Sequence, residues 1–215
     1  MAGILFTSVS WGNFGLRIGD VESDVLARRK ALEETISIGN IVFMNQSHSN
    51  EVVFTDGRSS VVDADAIVTS SKGVGLSVLV GDCVPILIRS STSVAAVHAG
   101  RIGMTNGIIG KTVELMKSLG AQNFEAIMGP SICADCYEVS TQMYADVVRD
   151  FPHAATSVTR HGLDLQSEIG HQLSHEGVEV FNLGICTLEY SEYFSHRRSQ
   201  RTGSAEGRQV GVIWL

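Results

Sequence analysis

Three residues stand where apolar runs break off: His48 in "NQSHSNEV", Cys83 in "VGDCVPILI" and His98 in "AAVHAG". Two imidazoles and a thiolate suit a borderline-soft ion such as Zn²⁺, and three protein ligands would leave a fourth tetrahedral position for water or substrate. The spacings, 35 and 15 residues, match no short metal motif, so spacing alone favours ordinary, partly buried side chains. A metal-free alternative uses the same residues, with Cys83 as a thiolate nucleophile and His98 as its base.

Other segments offer weaker chemistry. "CADC" places Cys133 and Cys136 at CxxC spacing after an expected strand. A redox pair would open a helix, and a structural zinc would need a second pair at similar spacing. The sequence presents no second pair, so the two are read as structural thiols, with Asp135 and Glu138 as candidate pocket groups. In "HQLSH" the apolar face runs through Leu165, Ile169 and Leu173. His171 lies about 200° around the helix from Ile169, so it and His175 are expected to face solvent. Glycines 100, 103, 107 and 110 link a strand to a helix. Backbone amides there, with Arg101, could hold a phosphate, although the spacing is neither G-x-G-x-x-G nor that of a G-K-S/T loop and favours a tight turn with close helix packing. "YFSHRRSQRTG" gathers His196, Arg197, Arg198 and Arg201 into the densest positive patch of the chain, a candidate anion site.

These groups need a scaffold, and 215 residues with 44% hydrophobic content suffice for a sizeable core. A net charge of -7 without a basic run argues against a nucleic-acid surface. The N-terminus lacks a basic, apolar leader and no run reaches the ~18 apolar residues of a membrane span, so a cytoplasmic protein with reduced thiols is expected. "SDVLARRKALEETISIGN" reads as a helix capped by Ser23 and ended by Gly39. "DAIVTSS", "LSVLVG", "VPILIRS" and "SVAAVHAG" read as consecutive strands of one buried sheet. "IIGKTVELMKSLG", "TQMYADVVRDF" and "DLQSEIGHQLSHEG" read as helices, and "FEAIMG", "EVFNLGIC" and "RQVGVIWL" as strands. No linker or repeat divides them, which predicts one α/β (α+β) domain over 1–215.

Taken in order, the segments resemble the YfiH or laccase-domain family, the polyphenol-oxidase-like proteins regarded as purine nucleoside phosphorylases. The resemblance rests on Gln46-Ser47-His48 for Q-x-H, Asp82-Cys83-Val84-Pro85 for D-C-x-P, and Ala96 to Gly100 for A-x-H-A-G. It continues through Gly129-Pro130-Ser131-Ile132, Cys136-Tyr137-Glu138-Val139, Cys186-Thr187, Phe194 to Arg198, and Thr202-Gly203. Two departures stand out: the family's W-R-G after H-A-G is here Arg101-Ile102-Gly103, and its I-G-P-C is Ile132-Cys133-Ala134-Asp135.

The resemblance implies that His48, Cys83 and His98 are metal ligands, with zinc usual and copper an alternative, which reverses the reading from spacing. It implies a layered sandwich of mixed sheet and helices, related to toxin-type cysteine hydrolases. It also implies phosphorolysis of adenosine, inosine and methylthioadenosine, with adenosine deamination as a side activity. Purine nucleoside and phosphate are then the expected partners, with Gln46, Asp82, Gly100, Arg101, Glu138 and Arg197 as candidate binding groups; the chain would be a monomer or homodimer. The rivals are a Cys83–His98 hydrolase acting on a cell-wall precursor, a copper-dependent phenol oxidase, and a nucleoside-binding domain without catalysis.

Overall fold

In a computed structural model, described over residues 2–16, 18–156 and 161–215, eleven strands form two mixed sheets. The strands are β1 (Gly3–Phe6), β2 (Asn40–Asn45), β3 (Val52–Phe54), β4 (Val61–Asp63), β5 (Ala66–Thr69), β6 (Val74–Val80), β7 (Val84–Arg89), β8 (Val94–Ala99), β9 (Glu125–Met128), β10 (Glu179–Asn182) and β11 (Gln209–Trp214). One sheet runs β1-β11-β6-β2-β4 and the other β10-β9-β7-β8-β5-β3. Six helices accompany them among the described residues: α1 (Glu22–Thr35), α2 (Arg101–Thr105), α3 (Ile108–Ser118), α4 (Thr141–Asp150), α5 (Leu165–His175) and α6 (His196–Thr202).

Side-chain alternation sorts these elements into four layers. Along β7 and β8, Val84, Ile86, Ile88, Ala95, Val97 and Ala99 point to a core shared with α3 and α5. Leu87, Val94 and Ala96 point the other way, into a core with Val42, Leu76, Val78 and Ile213 of the opposite sheet. On that sheet's outer face, Ile41, Phe43, Val210 and Val212 pack with Phe14 and with Leu32 of α1. Strands apolar on both faces lose the polar alternation of a half-exposed strand, which is why they read as continuous apolar runs.

The expected single α/β domain is present, but three local readings change. The segment "LSVLVG" is β6 and lies in the other sheet, paired antiparallel to β11 and parallel to β2. The chain therefore leaves the β5 sheet and returns to it at β7, so the four strands are not consecutive in one sheet. Helix α1 starts one residue before Ser23, with Val21 at its cap and no side-chain capping bond, and it ends at Thr35, before Gly39. Strands β1 to β4 and helices α2 and α6 are additions to the pattern read from the sequence. The expected helices at 108–118, 141–150 and 165–175 are present, and His171 and His175 are exposed.

Candidate metal centre and active site

Strand register builds the site. In the antiparallel pairing of β7 with β8, Val84 lies opposite Ala99 and Pro85 opposite His98, so Cys83 and Gly100 meet one step further along. His98 has the parity of Val94 and Ala96 and so points between the sheets, as does Cys83 with Leu87. On its other side β8 pairs with β5, Ala66 opposite Val97, which sets Asp65 beside His98. His48 arrives from the opposite sheet, three residues past the end of β2. Its Nε2 lies 3.7 Å from the Cys83 sulfur, and its ring meets that of His98 edge to face at 4.7 Å between centroids. The ligand atoms of His48, Cys83 and His98 all lie within 4.8 Å of one another.

Asp65, which the sequence reading passed over, ties the centre together. Fully buried, it accepts the His98 Nδ1 proton at 2.8 Å through Oδ1. The same carboxylate accepts three consecutive backbone N–H groups, from Ser47 at 3.1 Å, His48 at 3.1 Å and Ser49 at 2.7 Å, and the Ser49 hydroxyl at 2.6 Å. One side chain therefore fixes the tautomer of His98, leaving Nε2 to the site, and holds the turn that delivers His48. Gln46 clamps the same turn to β6, the neighbour of β2 in its own sheet: its amide donates to Leu79 O and accepts from Leu79 N, both at 2.8 Å, in the manner of one more strand residue. His48 and Asp82 take φ values of 60° and 95°, left-handed positions that a surrounding network must enforce.

The electrostatics follow from this crowding. Burial alone would push the Cys83 thiol up, but the charge of His98 and the hydrogen bond from His48 outweigh it and hold the thiol at about 6. Burial would likewise lower His98, yet the Cys83 thiolate and the Asp65 carboxylate raise it to about 9. Asp65 sits well below the usual carboxylate range, because the hydrogen bonds from His98 and Ser49 overcome its burial. A thiolate ready at neutral pH is both a metal ligand and a nucleophile. Two imidazoles, one anionic sulfur and an outer carboxylate on His98 are a donor set that fits zinc or copper and leaves room for a further ligand.

The three side chains face a cavity of ≈ 1010 Å³, ample for a nucleoside. Leu16, Ile18, Met44, Val61, Ile102 and Leu165 give it apolar walls, while Arg29, Arg101, Arg197 and Arg208 bring cations to it. Arg29 is committed elsewhere: it donates to Phe14 O at 2.8 Å and lies 3.8 Å over the Phe43 ring. Arg101 makes no salt bridge among the described residues. Arg197 lies 5.4 Å over the Tyr137 ring. Burial pushes the Tyr137 phenol up, partly offset by Arg101 and Arg197, so it keeps its proton at neutral pH.

The remaining candidates divide. Asp82 is buried with both oxygens in use, accepting the Thr187 hydroxyl at 2.7 Å and the Arg197 N–H at 2.6 Å, so it positions rather than transfers protons. Glu138 is exposed and outside the cavity lining; only its carbonyl reaches the site, accepting from Arg197 at 3.0 Å. Asp135 is exposed and also outside the lining. Arg198 spends its guanidinium on the carbonyls of Thr187, Leu188, Tyr190 and Tyr193, a structural use.

Gly100 is set by a close approach rather than by backbone freedom. A Cβ there would lie 2.8 Å from the Cys83 sulfur and 3.2 Å from His48 Cδ2. Gly100→Ala is thus expected to displace two of the three ligand side chains, lowering zinc affinity on the order of 10-fold or more while the far-ultraviolet spectrum is unchanged. Unaltered affinity in a competition titration would contradict this packing.

A family model described as multi-copper polyphenol oxidoreductase laccase matches residues 3–215. The chain is 37% identical to a purine nucleoside phosphorylase of Corynebacterium glutamicum, over 94% of this chain and 86% of that protein. It is 35% identical to a purine nucleoside phosphorylase of Streptomyces coelicolor, over 94% and 87% of the two. Among solved structures, a Neisseria meningitidis protein superposes with a TM-score of 0.85 at 28% identity, covering 100% of this chain and 94% of the other.

Proposed function

Since this chain belongs to the laccase-like family described as multi-copper polyphenol oxidoreductases, and its relatives at 35–37% identity are named purine nucleoside phosphorylases, we propose that it splits purine nucleosides with phosphate at a zinc-dependent centre. The observation that carries this reading is the His48–Cys83–His98 cluster opening onto a nucleoside-sized cavity with arginines beside it in an acidic chain. Adenosine, inosine and methylthioadenosine are the substrates, with adenosine deamination at the same centre as a lesser activity.

In phosphorolysis the C1′–N9 bond breaks as a phosphate oxygen bonds to C1′, and the departing purine must gain a proton. Arg101 and Arg197, both near the Tyr137 phenol, would hold the phosphate dianion against the ribose, where the negative charge of the phosphate itself faces and stabilises the oxocarbenium-like transition state. Tyr137 keeps a protonated phenol at the cavity wall, and the apolar side chains would pack against the purine. When bound by His48, Cys83 and His98, zinc would supply a Lewis acid that polarises an oxygen of substrate or phosphate. Asp65 holds His98 in the tautomer that presents Nε2, and Gln46 and Asp82 keep the two ligand-bearing turns in place.

The reading is favoured over multi-copper phenol oxidation because the described residues gather a single histidine-bearing ligand set on the cavity. A second reading has its own support: Cys83, His98 and Asp65 also form the nucleophile, base and orienting acid of a cysteine hydrolase. Chelation separates the two. Purified protein should release hypoxanthine from inosine only with phosphate, lose that activity on chelation and regain it with zinc. Amide hydrolysis that survives chelation would favour the hydrolase, and zinc-independent base release would count against the metal centre.

A further inference from the structure

We propose that Cys133, Cys136, Cys186 and Glu189 form a second, closed site that binds one zinc ion and fastens the loop after β9 to the loop before α6. Three thiols and a carboxylate converge there, their ligand atoms all within 4.8 Å of one another. None of them lines the cavity, and the proposed reaction uses none of them.

Two short turns bring the ligands in as pairs. Cys133 and Cys136 close one, the Cys136 N–H donating to Cys133 O at 3.1 Å. Cys186 and Glu189 lie three residues apart in the other, closed by the Tyr190 N–H on Cys186 O at 3.0 Å. The turns are zipped together: Ser131 N–H donates to Ile185 O at 3.1 Å and Thr187 N–H to Ser131 O at 3.0 Å. The Cys133 N–H points at the Cys186 sulfur at 3.4 Å, a bond that steadies a thiolate, and the Cys136 sulfur faces Glu189 Oε1 at 3.8 Å. The sequence reading missed the site because the CxxC has no second CxxC; its partner is a Cys-x-x-Glu 53 residues away, which only the fold brings near.

Three thiolates select a soft or borderline ion over magnesium or calcium, and four protein ligands leave no open position, the mark of a structural site. A disulfide would consume two of the thiols and leave the third beside an unmatched carboxylate. The staple also bears on the first centre. Ile132 N–H donates to Asp82 O at 2.9 Å and the Thr187 hydroxyl to the Asp82 carboxylate, so both tethered loops grip the residue preceding Cys83.

The test uses Cys83→Ala, which lacks a ligand of the first centre, so its outcome is independent of the phosphorolysis reading. Titrated with Co²⁺, this variant should develop tetrahedral d–d bands and intense near-ultraviolet thiolate-to-cobalt absorption that saturate at one ion per chain. Elemental analysis of zinc-grown protein should give two zinc ions per wild-type chain and one per Cys83→Ala chain. Adding Cys136→Ser should remove the cobalt spectrum and the remaining zinc. If that double variant fails to fold, the Cys83→Ala spectrum decides alone. Three titratable thiols in Cys83→Ala without thiolate-to-cobalt absorption would overturn the proposal, as would a Cys133 disulfide in protein purified without oxidant.

Discussion

Cys83→Ala is expected to abolish phosphate-dependent base release, by about 10³-fold or more, while leaving the fold intact. The size follows from what one sulfur does. It is the sole anionic ligand of the first centre, and it faces the cavity beside the arginines that would hold phosphate. Removing a single preorganised electrostatic group already lowers turnover by about 10²–10³-fold, and here a metal ligand goes with it. Stability should change little, because Cys83 is only half-buried and its loss leaves a space that water can enter. Full turnover in Cys83→Ala, measured on protein whose melting temperature matches wild type, would refute the assigned role.

Asp65→Asn is expected to harm both stability and metal binding. The amide that replaces one carboxylate oxygen points N–H groups at donors, so some of the bonds from Ser47, His48, Ser49 and His98 must break. Removing one partner of a buried charge-assisted network typically costs about 3–5 kcal/mol. Loss of an outer hydrogen bond to a metal-binding histidine lowers affinity by about 10–100-fold. The pH dependence gives a sharper signature. Asp65 lies below its unfolded value, so its stabilisation is present above pH ~4 and is lost as pH falls through the folded value. Wild-type stability should therefore decline below pH ~4 more steeply than that of Asp65→Asn. Parallel acid limbs in denaturant titrations would contradict the assignment of that network.

Much of the fold was legible in the sequence, for identifiable reasons. Helices α3 and α5 declare themselves because Ile109, Val113 and Met116, and Leu165, Ile169 and Leu173, repeat at helical spacing against one core. The strand pair carrying Cys83 and His98 is short, β-branched and joined by a tight turn. Sheet membership was not legible, because β6 is apolar on both faces and nothing in its own residues distinguishes β11 and β2 as partners from its neighbours in sequence.

The site divides along the same line. His48, Cys83 and His98 could be singled out by type and by position at strand ends, yet spacing argued against a shared metal; the family resemblance, not periodicity, joined them. Asp65 was hidden because one acid among 23 acidic residues carries no local mark. Its role comes from β5–β8 register and from a turn in the opposite sheet. Gln46 and Asp82 are legible as polar groups beside the ligands, but only the fold shows Gln46 holding the Leu79 backbone and Asp82 holding the Thr187 hydroxyl and the Arg197 backbone N–H.

The measurement that bears most directly on the central claim is phosphorus NMR of inosine with phosphate and zinc-loaded protein. A ribose 1-phosphate signal should grow in step with hypoxanthine release, vanish in Cys83→Ala, and be absent from phosphate-free reactions that retain inosine. Hypoxanthine appearing with free ribose and an unchanged phosphate signal, or ribose 1-phosphate formed equally well by Cys83→Ala, would contradict it.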